Sequence, residues 1–333
     1  MTSASIAVGN LGEQKLLQLV QGFCNSDVVG DDGAIVSLLG DRDLVVTTDV
    51  LVDGVHFSDR TTSPFDVGWR SAAANLSDLA AMGASPLGLT IGLSLPPQTP
   101  VAWVEGFYQG FTACLQPYET SIIGGDLCRS PVLTVAVTAL GQVSPPRAIR
   151  RSVARSGDAI VITGEHGKSR AGLALLLDPA IGHSLPLEMR ENLIQAHQRP
   201  LPRLDVLPHL QTISAAIPVA GMDSSDGLAD AIVQICRESG VGAAIDLAAL
   251  PIPLGLNLLV SPDKARDWVF FGGEDFELVL CLPPPLASSL VHQLGGEARI
   301  IGKITSELVV QAIAPQGIEP ALILTLESSF QHF

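Results

Sequence analysis

Short acidic stretches recur along a chain that is otherwise poor in charge: "VGDDGAIV" at 29–36, "TTDVLVDGVHF" at 47–57, "NLSDLAAMGA" at 75–84, "IIGGDLC" at 122–128, "GMDSSDGLAD" at 221–230 and "FGGEDFEL" at 271–278. Neighbouring carboxylates in apolar surroundings repel each other and lose hydration, so something must compensate them. Asp32 sits in a Gly-flanked turn, Asp49 at a strand end after Thr47 and Thr48, and Asp78 inside a helix. Asp126 follows a Gly-Gly turn and Asp223 ends a strand. Taken singly, each has an ordinary reading: aspartate beside glycine is most often a turn residue, and Asp226 could cap the helix that follows it. Asp78 is the hardest to dismiss, because Asn75 and Asp78 share one face of a helix whose other residues are small or apolar. Taken together, strand-end carboxylates with few basic neighbours suit a hard cation with oxygen ligands. Magnesium held by carboxylates, hydroxyls and substrate phosphates needs such a set.

The elements that must position these residues mix strands and helices. "DLVVTTDVLV" reads as a buried strand, and "PFDVGWRSAAANLSDLAAMGA" as a helix entered at Pro64 and stopped by Gly83. "PVAWVEGFYQGFTACLQPY" is a second helix, "TSIIGGD" a short strand and "SPVLTVAVTALGQV" a long one. The prolines of "SPPRAIRRS" mark a boundary, giving a first domain over 1–145 and an α/β second domain over 146–333. The second half restarts with the strand "DAIVITG" and the helices "KSRAGLALLL", "PLEMRENLIQAHQ" and "RLDVLPHLQTI". "AAIPVAGMD" is a strand, "SSDGLADAIVQICRESG" a helix and "GAAIDL" a strand; "WVFFGGEDFELVLCLP" joins a Gly turn to a strand, and "ARIIGKI" with "ELVVQAI" completes the sheet. This is a two-domain α/β (α+β) fold with mixed sheets.

Composition narrows the function classes. Of 333 residues, 47% are hydrophobic and 16% charged, so the chain can bury a large core. A net charge of −15 argues against nucleic acid or anionic lipid as partner. Phosphate substrates stay open, because divalent ions supply positive charge locally. Five scattered cysteines without a CxxC pair fit a reducing compartment. The N-terminus lacks the pattern of a signal peptide, and apolar runs are interrupted before the roughly 18 residues of a membrane span, so a soluble cytoplasmic protein is expected. "GEHGKS" at 164–169 imitates a Walker A loop but has Ile162 where that loop needs glycine, so it reads as a strand-to-helix turn.

Read in order, "VGDDGAIV", "TTDVLVDGVHF", "NLSDLAAMGA", "IIGGD", "MDSSDGL", "GGEDFEL" and the terminal "SFQHF" resemble the motif series of the thiamine-monophosphate kinases. These belong to the phosphoribosyl-aminoimidazole synthetase superfamily, whose ATP-binding fold has no Walker loop. The resemblance implies magnesium-dependent transfer of the ATP γ-phosphoryl group to thiamine monophosphate, and a homodimer. It matches Asp32, Thr47, Thr48, Asp49, Asp78, Asp126, Asp223 and Asp226 to magnesium positions. It matches Gly125 with Asp126, Arg151 and Ser225 to the ATP phosphates, and either Tyr108 or Gln109 to the nucleotide. It matches His56, Glu274 and Phe330 to the thiamine site; Asp31, beside the magnesium position Asp32, would act through hydrogen bonds or water. Gly33, Ser224 and Phe330 depart from the residues usual at their places, and none of these departures removes a charge. The acceptor is itself a phosphate whose second pKa is about 6, so no general base is expected. Selenophosphate synthetase would need a reactive Cys and Lys in the N-terminal Gly-rich segment, and the hydrogenase-maturation member a C-terminal cysteine. The chain ends "QHF".

Overall fold

The computed structural model describes residues 34–37, 40–213, 217–314 and 321–326. A first sheet runs in the order β1-β2-β5-β3-β4, from Ala34–Ser37 (β1), Asp43–Val52 (β2), Ser85–Leu95 (β3), Ile122–Arg129 (β4) and Thr134–Val143 (β5). Its neighbours are antiparallel except for β3 and β4. Helices Pro64–Ala81 (α1) and Val101–Leu115 (α2) cover one face.

α1 forms where its sequence dictates. Ser63 accepts the Asp66 amide while Asp66 accepts the Ser63 amide, Pro64 occupies the first turn, and small residues fill the rest. The helix ends as predicted before Gly83, which takes φ 71°. α1 and α2 touch backbone to backbone. A Cβ on Gly68 would lie 1.9 Å from the Phe107 carbonyl oxygen, and one on Gly110 would lie 1.8 Å from that of Phe65.

The second sheet has the order β12-β11-β8-β10-β6-β9-β7. It comprises Ala159–Ile162 (β6), Ala220–Asp223 (β7), Gly242–Asp246 (β8), Leu278–Leu282 (β9), Arg299–Thr305 (β10), Val310–Ile313 (β11) and Leu322–Ile323 (β12). Its helices are Lys168–Leu177 (α3), Leu187–Gln198 (α4), Val206–Ile213 (α5), Leu228–Ser239 (α6), Leu256–Leu259 (α7), Pro262–Phe271 (α8) and Pro284–Leu294 (α9). Along β6 and β9, Val161, Leu278, Leu280 and Leu282 join the core of the first sheet, while Ile160, Ile162, Val279 and Cys281 pack into a separate core. One apolar core therefore runs through both halves of the molecule.

The halves are also stitched by the chain leaving α4. Trp69 Nε1 donates to the Pro200 carbonyl (2.7 Å), Gln198 Nε2 to that of Thr61 (2.7 Å), and Arg199 Nε to Asp66 (2.7 Å). Among the described residues, no helix is long and apolar enough to cross a membrane.

Several elements differ from expectation. β2 is buried on one face only: Val50 is 49% exposed, and Thr48 beside it on that face is open too. The Gly turn and strand expected in "WVFFGGEDFELVLCLP" are present, but "WVFF" ahead of them closes a helix that was not anticipated, α8, whose start is fixed by Ser261 accepting the Lys264 amide. The helix expected over "SSDGLADAIVQICRESG" begins only at Leu228. The strand expected over "TSIIGGD" runs on to Arg129, because all of it pairs with β3. β3 and α9 carry no strong sequence signal and were not anticipated.

Candidate active site

α1 organises the site. Thr47, on the inward face of β2, donates its hydroxyl to Asp78 Oδ2. The preceding residue, Ser77, donates to Asp223 Oδ2 at the end of β7 (2.7 Å). Adjacent residues of one helix thus tie a strand of the first sheet to a strand of the second. Asp223 is fully buried. Burial pushes its carboxyl pKa up, while the Ser77 and Ser225 hydroxyls, the Ser225 amide and the Arg151 guanidinium pull it back. Ser225 Oγ lies 2.9 Å from Asp223 Oδ1.

Arg151 faces this pair from a short 3-10 turn, Arg151–Val153, pinned by α6. Its Nη1 donates to Gln234 Oε1 (2.7 Å), Gln234 Nε2 donates to Asp230 Oδ2 (2.6 Å), and Ser239 Oγ donates to the Arg151 carbonyl (2.6 Å). Asp226 is exposed in the loop before α6. It is not the helix cap, since Gly227 takes that place with φ 113°.

The "GGEDFEL" turn is hydrogen-bonded to the "MDSSDG" turn. The Glu274 amide donates to the Ser225 carbonyl (2.6 Å), and the Ser224 amide donates to that of Glu277 (2.9 Å). Glu274 and Phe276 take left-handed backbone conformations, φ 60° and 53°. Each costs about 1–2 kcal/mol for a residue with a Cβ, strain that concentrates at functional sites. Arg70 of α1 donates to the Glu274 carboxylate. His56, in the turn after β2, accepts the Val52 amide at Nδ1 (3.1 Å), which puts the proton of its neutral ring on Nε2.

Other predicted residues stand apart within one chain. Thr48 points to the open face of β2 and pairs with Thr138 (Oγ1 to Oγ1, 2.8 Å). Gly125 and Asp126 are exposed on the edge strand β4. Asp126 shares a register row with Gly92, Ala136 and Val50, three strands from β2. On α2, Tyr108 is half-buried edge-on against Phe107, with burial raising its phenol pKa, while Gln109 is exposed. Asp49 is half-buried on β2. Asp31, Asp32 and Phe330 lie outside the described residues.

The "GEHGKS" loop runs from β6 into α3, a strand-to-helix turn as its sequence suggests. The anion position at the α3 N-terminus is filled from within. Asp275 accepts the amides of Gly167 (2.6 Å) and Ser169 (2.8 Å), and burial pushes its carboxyl up to about 7. Lys168 pairs with Glu165 (2.5 Å).

Sequence reasoning missed Ser77, Gln234 and Arg70. Ser77 lies in a quoted motif but looks like one more small helix residue. Gln234 has no local signal, and Arg70 has one: it is the only basic residue of α1.

The arrangement suits oxygen-ligand chemistry. Asp78 and Asp223 converge on one end of α1 with the hydroxyls of Thr47, Ser77 and Ser225, and among the described residues no sulfur or imidazole bonds to them. Among the described residues no three His, Cys, Asp or Glu side chains form a cage. Magnesium does not ask for one, since it keeps waters and binds through one or two carboxylates plus substrate phosphates.

Two family profiles match the chain: AIR synthase related protein, N-terminal domain, over residues 30–143, and AIR synthase related protein, C-terminal domain, over residues 155–313. With the two mixed sheets, they define a two-domain AIR synthase-related protein. The thiamine-monophosphate kinase of Synechococcus elongatus is 51% identical over 98% of both chains. The chain belongs to the thiamine-monophosphate kinase family. Among solved structures, AaThiL complexed with AMPPCP and TMP matches with a TM-score of 0.82 at 31% identity, covering 99% of this chain and 100% of that one. Thiamine-monophosphate kinase from Stenotrophomonas maltophilia K279a matches with a TM-score of 0.75 at 35% identity, covering 90% and 95%.

Proposed function

We propose that this chain phosphorylates thiamine monophosphate to thiamine diphosphate with ATP, by direct in-line transfer. The observation that carries this reading is the gathering on one helix of the Asp78–Thr47 pair, the Ser77–Asp223 pair and the Arg70–Glu274 pair. These are the groups for metal, phosphate and acceptor, set along a single rod. Asp32, Thr47, Thr48, Asp49, Asp78, Asp126, Asp223 and Asp226 are the residues that would hold several magnesium ions. What those ions supply when bound is cancellation of charge on the phosphates of two anionic substrates.

Arg151, Ser225, Gly125 with Asp126, and Tyr108 are assigned to ATP. The support of Gln234 and Ser239 keeps the Arg151 fork aimed at a phosphate. His56, Glu274 and Phe330 are assigned to thiamine monophosphate, with His56 offering its Nε2 proton. No side chain is needed as general base, because the acceptor phosphate is largely a dianion near neutral pH. Thiamine-monophosphate-dependent, magnesium-dependent release of ADP, with thiamine diphosphate as product, tests the activity. ADP release that ignores thiamine monophosphate would refute it.

We further assign the chain to the cytoplasm, with residues 1–145 as the nucleotide, metal and dimerisation domain and 146–333 as the second domain. The open face and edge of the first sheet, with Val50, Ile123 at 54% and Leu127 at 63% exposed, support a homodimer through this sheet. Three inter-strand steps, roughly 14 Å, separate Asp126 from β2 within one chain. Asp126 of the partner subunit is the better companion for Thr48. Mixing Asp78→Asn chains with Asp126→Asn chains then restores activity, because one site of the mixed dimer is intact. If mixing leaves both inactive, each site is built from one chain.

A further inference from the structure

Arg70 is buried in α1, 2% exposed. Its Nη2 donates to Glu274 Oε1 and its Nη1 to the carbonyl of His197 at the end of α4. Its Nε finds no hydrogen-bond partner among the described residues. Burying a guanidinium is costly unless its charge is paired, and among the described residues the acid that pairs with it is Glu274, 204 positions along the chain. His197 adds no charge of its own: burial first, then Arg70 and Arg170, push its pKa down to about 2. As a neutral ring it stands with Nδ1 3.7 Å from Glu274 Oε2 and 3.1 Å from Ser169 Oγ. Glu274 is therefore gripped at one oxygen, and its side chain keeps 36% of its surface exposed.

A core helix could be closed at this point by a leucine. What an arginine adds is a fixed carboxylate. Arg70 stands seven and eight residues before Ser77 and Asp78 on the same helix, so about 11–12 Å of rigid rod separates the Glu274 anchor from the phosphate-side groups.

We propose that Arg70 is a positioning residue of the acceptor site. It holds the Glu274 carboxylate at a set distance from Asp78 and Asp223, against the left-handed backbone that presents it. Thiamine monophosphate, bound at its ring end by Glu274 and at its phosphate end beside the α1 carboxylates, is thereby measured for length. This rests on the reading of Glu274 as an acceptor-site contact.

The test is steady-state kinetics of the full chain, varying thiamine monophosphate and ATP separately, for Glu274→Gln, Arg70→Gln, Arg70→Lys and the double variant Arg70→Gln/Glu274→Gln. Glu274→Gln and Arg70→Gln should each raise KM for thiamine monophosphate about ten- to hundredfold and leave KM for ATP unmoved. The double variant should be no worse than the poorer single one, since both act through one carboxylate. Arg70→Lys should recover part of the loss, because it keeps the charge without the fork. If Glu274→Gln leaves KM for thiamine monophosphate unchanged, the assignment of Glu274 fails. If Glu274→Gln raises it and Arg70→Gln does not, the positioning role fails. Both KM values moving in step with a loss of thermal stability would make Arg70 a structural bridge only. Should Arg70→Gln not fold, Arg70→Lys decides by the same split between the two KM values.

Discussion

Replacing Ser77 with alanine deletes one oxygen from the site and little volume. That oxygen is one of two hydroxyls donating to Asp223, which has no contact with solvent. A hydrogen bond to a charged group contributes about 1.5–3 kcal/mol, and one pKa unit corresponds to about 1.36 kcal/mol. The Asp223 carboxyl, already raised by burial, should therefore rise further. At neutral pH more of it is protonated, and magnesium has to displace the proton before it can bind. The magnesium concentration for half-maximal turnover should rise about ten- to hundredfold at pH 7. It should return toward the wild-type value as the pH is raised, because the carboxylate ionises again. ADP release measured against magnesium at three pH values reads both effects. An unchanged magnesium requirement would show that Ser77 does not tune Asp223. A raised requirement that ignores pH would show that the loss is one of packing.

Buried His166 and His197, with pKa values pushed down to about 3 and about 2, bind fewer protons folded than unfolded below an unfolded value of about 6.5. Stability should then fall as the pH drops from about 6.5 toward 3, and His166→Gln should flatten part of that slope in urea titrations at pH 7 and 5. Gly110→Ala forces a Cβ to 1.8 Å from the Phe65 carbonyl oxygen, so α1 and α2 must part. Destabilisation of about 3 kcal/mol or more by denaturant titration is expected, and tolerance at wild-type stability would refute the close crossing. Phe330→Ala should weaken thiamine monophosphate far more than ATP, by about 1–3 kcal/mol if the ring stacks on substrate. Equal loss for both ligands would place Phe330 in a core instead.

The motifs were legible because their carboxylates stand where folding alone has no use for them. α1 was legible as well, since Pro64 at its start and Gly83 at its end punctuate a run of small residues. The helix that ends in "WVFF" left no clear signal because Trp268, Val269, Phe270 and Phe271 have β-formers' side chains, and only tertiary packing draws them into a helix. The open face of β2 was hidden because Val50 and Leu51 look equally apolar in sequence, although one faces out and the other in. Arg70 could not be paired in advance. Its partner lies in another domain, and no local period reports a contact across that separation.

The strand order β1-β2-β5-β3-β4 puts the last strand to be synthesised at the centre of its sheet, between β2 and β3. While the ribosome has made only the first 133 residues, β2 and β3 have no common partner, and the β1–β2 and β3–β4 pairs remain separate apolar ribbons. Closing the sheet requires Thr134–Val143 to thread between them, a non-local step that folds slowly and leaves unpaired edges exposed meanwhile. During that interval Thr47 has α1 nearby but no finished sheet to hold it against Asp78. The nascent first domain thus keeps unpaired strand edges open until its last strand is made, and a fragment ending before Thr134 should aggregate more readily than one ending after Val143.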